Sequence, residues 1–104
     1  MTVLAYKFTT ESEIFDFDFS AVLGTGETIA SATVTATVQT GTDASPSAIL
    51  SGSVALTTPG HVLQRVIGGT DKVTYRLTVT ATTSVPNIYT LVADLPVYAP
   101  TSVV

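Results

Sequence analysis

The sequence has 104 residues, a formal net charge of −4, 12% charged residues and no cysteine. A chain of this length forms one domain and buries roughly two-thirds of its unfolded surface, so its core needs no disulfide. Its four basic residues form no cluster that would neutralise phosphates, which argues against a nucleic-acid partner. Its apolar runs are far shorter than the roughly twenty residues that cross a bilayer, which argues against a membrane partner.

Residues 1–12 combine a short apolar piece with a polar segment and stand apart from the patterns that follow. We predict that they form either an N-terminal arm or an extra strand. They lack the charged, apolar and small-residue segments of a secretion signal, which predicts synthesis and assembly in a cytoplasm. Threonine occurs twenty times and valine fourteen times in the chain, and this β-branched bias favours sheet over helix.

Two alternating segments follow. Residues 14–19 predict a half-buried strand, because Phe15, Phe17 and Phe19 fall on one face and Asp16 and Asp18 on the other. Residues 20–23 then allow a single helical turn capped by the serine at its start. Residues 28–40 predict a second strand, whose inner face consists of small apolar residues: Ala32, Val34, Ala36 and Val38.

The middle of the chain is less regular. Residues 41–47 have the composition of a loop. Residues 48–51 and 53–57 are separated by Gly52, and they form either one bulged strand or two strands. Residues 61–67 predict a further strand, but both of its faces mix polar and apolar residues, so the pattern does not orient it.

The longest alternating pattern lies at residues 73–82, after the turn of Gly68 and Gly69. We expect Tyr75 to face the core and its hydroxyl to bind the preceding corner, as at the start of strand F in immunoglobulin domains. The last predicted strand covers residues 88–97, and Pro96 places its end at a sheet edge because proline has no N–H to donate. Residues 99–104 are predicted to be a C-terminal tail.

These elements predict an all-β fold, an immunoglobulin-like β-sandwich of about seven antiparallel strands over residues 13–98. Short strands recur at near-regular spacing without a long helix, a pattern that favours a sandwich over a barrel.

Candidate chemistry is sparse. Asp16 and Asp18 have the spacing to bind a hard cation such as calcium, but they also match a solvated face opposite the phenylalanines, which we favour because no calcium-loop motif is present. His61 accompanies no nucleophile elbow and is interpreted as a strand-edge residue. The glycines at 24, 26, 68 and 69 are interpreted as turn residues. We therefore predict no catalytic, cofactor-binding or metal-binding residues, no cofactor and no enzymatic activity.

The outward threonine rows of the predicted strands at 28–40 and 73–82 have two interpretations. They form either an ordinary soluble face or a flat, weakly charged surface on which subunits pack, since few charges would lose their water there. In the second interpretation the arm at 1–12 and the tail at 99–104 would reach into neighbouring molecules by adding strands to exposed sheet edges.

Three motifs in order carry a family resemblance. They are residues 15–23 (FDFDFSAVL), residues 26–35 (GETIASATVT), and the set of 68–70 (GGT), 75–79 (YRLTV) and 82–84 (TTS). Together they resemble small immunoglobulin-like bacteriophage virion proteins of the fibre–tail adaptor type, over about residues 13–95. The chain departs from the family pattern at the turn 85–87 and in the weakly charged last strand at 91–96.

The resemblance implies a non-enzymatic virion structural protein that joins tail, fibre or neck components. Its partners would be other virion proteins in a multi-copy assembly, and it would be located in the virion after assembly in the host cytoplasm. Two alternatives stay open: a capsid decoration protein, and a ligand- or carbohydrate-binding surface module.

Overall fold

The computed structural model describes residues 2–3 and 6–101, the first two by their backbone pairing alone. Residues 1, 4–5 and 102–104, which belong to the predicted arm and tail, lie outside the described residues. The described residues form eight strands and one 3₁₀ turn at Pro46–Ile49. The strands are β1 (Thr2–Val3), β2 (Lys7–Phe8), β3 (Glu13–Asp18), β4 (Ile29–Thr40), β5 (Leu50–Ala55), β6 (His61–Val66), β7 (Val73–Thr83) and β8 (Ile88–Tyr98).

The strands form two sheets. One has the order β1–β8–β7–β4, with β2 also on β8, and the other has the order β3–β6–β5. If β3 to β8 take the letters B to G, sheet B-E-D lies opposite sheet C-F-G, which is the strand order of immunoglobulin sandwiches. The all-β sandwich predicted from the sequence is therefore confirmed. The strand pairs among β3 to β8 are all antiparallel, as predicted for residues 13–98, whereas β1 and β2 from the segment 1–12 both run parallel to β8.

The core forms where the inward faces of the two sheets meet. Along β7, buried residues alternate with half-buried ones from end to end, as the period-two pattern predicts. Tyr75 and Leu77 at its centre have no exposed surface. Each large apolar side chain buried in this way contributes about 1.5–3 kcal/mol. The core also includes Phe17, Phe19, Ala36, Ile49, Val62, Val66, Val73, Val79, Ala81, Ala93, Leu95 and Val97.

The two ambiguous segments in the middle of the chain pair with each other. Residues 50–55 form one strand whose register with β6 shifts between Ser51 and Ala55, so the single bulged strand is the form adopted. Gln64 lies on the buried face of β6, and its side-chain amide donates to the carbonyl oxygens of Ser51 (3.1 Å) and Arg65 (2.9 Å). A polar residue faces inward here because it satisfies backbone oxygens beside the register shift, and this is why the sequence pattern could not orient β6.

Two local expectations change in detail. Residues 20–22 form a hydrogen-bonded turn rather than a helical turn, and the backbone N–H of Ser20 donates to the Asp18 carboxylate instead of Ser20 acting as the cap. Pro96 does not end the sheet, since β2 pairs with the residues that follow it. In the described chain, Pro96 lies between the stretch of β8 that pairs with β1 and the stretch that pairs with β2.

Candidate functional site

The corner between β6 and β7 is fixed by Tyr75. The backbone N–H of Thr70 donates to the Tyr75 hydroxyl oxygen (2.8 Å), and the hydroxyl donates to Oδ2 of Asp43 (2.5 Å). The corner predicted from the sequence is therefore confirmed. Asp43 was missed because it lies 32 residues away in the loop after β4. The bond from Tyr75 is the main reason that the pKa of Asp43 is lowered, whereas burial above all raises the pKa of Tyr75.

Lys7 ties the first part of the chain to the same corner. Its residue surface is fully buried, and Nζ donates to the carbonyl oxygens of Phe8 (2.8 Å) and Gly68 (2.6 Å). Burial lowers the pKa of Lys7, although the charges of Glu11 and Glu13 act in the opposite direction. No sequence pattern indicated this role, since a lone lysine in an apolar segment is usually solvated. Lys7 therefore holds β2 against the sandwich.

His61 lies between the two aspartates of β3. The β3–β6 register places Asp18 opposite His61, with Nδ1 of His61 2.7 Å from Oδ1 of Asp16 and Nε2 3.6 Å from Oδ1 of Asp18. The hydrogen bond with Asp16 is the main reason that the pKa of His61 is raised. The pKa of Asp18 is lowered chiefly by hydrogen bonds from Ser20. Both carboxylates are more than half exposed.

The contacts of Asp16 and Asp18 bear on whether these residues bind a metal ion. They meet an imidazole rather than a third carboxylate, and no group of three or more His, Cys, Asp or Glu residues within the described ranges is arranged to hold a metal ion. The residues pointed out by the sequence, Asp16, Asp18 and His61, are thus brought together by strand pairing as a surface ion-pair cluster. Tyr75 lies elsewhere, at the corner below Asp43.

At the opposite end of the sandwich, Glu27 holds the turn between β7 and β8. Its Oε2 accepts hydrogen bonds from the Thr83 hydroxyl (2.6 Å) and the Asn87 side chain (3.0 Å). Its Oε1 accepts the backbone N–H of Gly24 (2.8 Å), which is the main reason that its pKa is lowered. Gly24 therefore serves a turn, as predicted, and Glu27 links that turn to the next one in space.

The outer surface of the larger sheet is rich in threonine and nearly neutral. We call it the threonine face, and it consists of Thr33, Thr35 and Thr37 of β4 with Thr74, Thr78, Thr80 and Thr82 of β7. Its one basic group, Arg76, donates from Nε to Oδ1 of Asp94 on β8 at 3.0 Å, so the two charges compensate each other. The face is therefore polar and almost free of net charge.

The sandwich also presents an open apolar cavity and open strand edges. The cavity has a volume of about 160 Å³ and lies between the turn at 20–22 and β8, with Phe19, Val22, Tyr89 and Leu91 in its lining. Among the described residues, β4 pairs only with β7, and β3 and β5 pair only with β6. Three strands thus have one edge without a strand partner, and β4 also lies close to β5 and the 3₁₀ turn.

These features define the class of protein: a small β-sandwich module whose polar side chains hold its corners and turns together. A family model described as the podophage GP4 fiber-tail adaptor protein gp77 matches residues 7–95. The chain therefore belongs to this family of bacteriophage structural proteins, as its sequence motifs predicted. No curated protein and no solved structure shows a significant match to it. Within the described ranges, no helix is long and apolar enough to cross a membrane.

Proposed function

We propose that the protein is a non-enzymatic adaptor that joins the tail of a podophage virion to its fibres, in several copies per particle. The observation that carries the proposal is the family match over residues 7–95, which covers almost the whole sandwich. The match supports contacts with tail and fibre proteins, and it supports a location in the virion after assembly in the host cytoplasm.

Polar side chains that hold both ends of the sandwich support a structural role. Tyr75 and Lys7 fix one end of the sandwich, and Glu27 fixes the other through bonds to two separate turns. The polar groups of these residues are used within the fold. This use supports a structural rather than a catalytic role, because a catalytic set would leave a nucleophile or base directed at a substrate.

Its surfaces also suit repeated protein–protein contacts. The threonine face has few charges that would lose water on binding, and the free edges of β3, β4 and β5 expose backbone groups that a partner strand can pair with. In a symmetric tail, weak contacts of this kind are multiplied by the number of copies.

The proposal is tested with a phage that carries a nonsense codon in this gene and is grown on a non-suppressing host. We expect heads filled with DNA and tails that lack fibres by electron microscopy, with adsorption restored when the intact gene is supplied in trans. Mass spectrometry of wild-type virions should detect the protein in more than one copy per particle. Normal fibres on mutant particles, or loss of capsid decoration with fibres in place, would refute the proposal.

A further inference from the structure

Within the described residues, the edge of β4 away from β7 pairs with no strand, although the 3₁₀ turn at Pro46–Ile49 and β5 lie close to β4. From Ser31 to Val38 the strand keeps an unbroken register with β7, and irregularities occur only beyond these residues, at the two ends of β4. This run contains no charged residue and no proline. Long free edges in soluble proteins usually carry lysine, proline or an internal bulge that prevents edge-to-edge association. The edge of β4 lacks all three and is suited to strand pairing.

We infer that a second copy of this chain covers this edge, with the two β4 strands antiparallel about a twofold axis at Thr35. A neutral strand can lie beside its own copy without the repulsion between like charges that opposes most self-pairing. A twofold contact is also self-complementary, since each residue that meets another is met by it in return. The two larger sheets would then form one continuous sheet across the dimer.

The side chains of β4 favour this register over its neighbours. With the axis at Thr35, Val34 of one copy lies opposite Ala36 of the other, and Ala32 lies opposite Val38. Every inner pair then joins a large side chain to a small one, the combination that packs facing surfaces best. An axis at Val34 would instead place the two copies of this valine opposite each other, and an axis at Ala36 would oppose Val34 and Val38.

The burial of the inner residues agrees with a missing neighbour. Ala32, Val34 and Val38 are only half-buried although they face the core, whereas the inward residues at the centre of β7, which has a strand on each side, are fully buried. Pairing with a second β4 would cover the remaining apolar surface of these three residues. On the outer side, Thr33 would lie opposite Thr37 and extend the threonine face across both copies.

This inference adds a specific contact to the proposed multi-copy adaptor, and it rests on that proposed function only for the place of the contact in the virion. The pairing itself is a property of the isolated protein. Its failure would therefore leave the joining of fibre to tail untouched, and the nonsense-phage experiment would test that function separately.

Disulfide trapping tests the register, because the natural chain has no cysteine. In the Thr35→Cys variant, the two introduced thiols are on directly opposite residues, whose Cα atoms lie about 4.5–5.5 Å apart, within the range of a disulfide. In the Thr33→Cys variant, the thiols are offset by four residues along the strands, roughly 13 Å, and are out of reach. Both threonines are exposed on the outer face of β4, so the second variant is a matched control.

We expect purified Thr35→Cys protein to form disulfide-linked dimer roughly tenfold or more faster than Thr33→Cys protein under mild oxidation, since pairing raises the effective concentration of the thiols. A mixture of Thr33→Cys and Thr37→Cys proteins should form the mixed dimer faster than either forms its own. Circular dichroism confirms that each variant is folded. Equal rates for the Thr35→Cys and Thr33→Cys proteins would overturn the inference.

Discussion

Removal of the Tyr75 hydroxyl is expected to destabilise the sandwich without changing its fold. In the Tyr75→Phe variant, the N–H of Thr70 loses its acceptor, and the ring stays in a site with no exposed surface. The hydroxyl makes two part-buried hydrogen bonds, and the loss of such bonds costs about 1 kcal/mol because Thr70 and Asp43 can regain water at the surface. For a domain of this size, 1 kcal/mol corresponds to a fall of roughly 4–8 °C in Tm.

The assay is chemical denaturation of wild-type and variant protein followed by circular dichroism, with Tyr98→Phe as the control. Tyr98 is half-buried at the same end of the sandwich, and its hydroxyl makes no hydrogen bond with the described residues. We expect Tyr98→Phe to have little effect. A second readout is the pKa of Asp43, which should rise in Tyr75→Phe because the bond that lowers it is gone. Equal stability of the two variants, with no change at Asp43, would refute the role of the corner.

Three further predictions concern pH and backbone shape. The pKa of His61 is raised mainly by its hydrogen bond with Asp16. The contribution of this bond to stability is therefore full below about pH 6.5 and is lost as the pH rises through the folded pKa. NMR titration of this single histidine should give a lower pKa in the Asp16→Asn variant, and an unchanged value would contradict the contact. The pKa of Glu27 is lowered, so its contribution to stability is present above about pH 4.3 and is lost as the pH falls through the folded pKa. The Glu27→Gln variant should therefore have a lower Tm than wild type at pH 7 and a smaller further fall in Tm in acid. Parallel Tm–pH profiles of the two proteins would contradict this role of Glu27. In the Gly69→Ala variant the new Cβ would lie 2.9 Å from a methyl carbon of Val97 at a φ of +99°, so the free energy of unfolding should fall by about 2–4 kcal/mol. In the Gly68→Ala control the Cβ would meet open space at a φ of +56°, and the fall should be only about 1 kcal/mol. A larger fall for Gly68→Ala than for Gly69→Ala in chemical denaturation would be inconsistent with the close contact.

The chemistry of the corner shows how far sequence reasoning reaches. The period-two pattern placed Tyr75 on the inner face, and the turn before it located the corner, because both signals lie within a few neighbouring residues. The second partner of the hydroxyl, Asp43, is 32 residues distant, and only the return of the loop after β4 to this end of the sandwich brings it near. The position of Lys7 was unpredictable for the same reason, since its acceptor Gly68 is 61 residues away.

Local alternation determined which side of each regular strand faces the core, and an ordered set of short motifs determined the family. Alternation determines the inward side because side-chain direction reverses with every residue of a strand, regardless of what the strand pairs with. The tertiary structure alone decided which strands are neighbours and in what register. That choice set His61 between Asp16 and Asp18, turned Gln64 inward and left the edge of β4 open, because hydrogen bonding between strands joins residues that are remote in the chain.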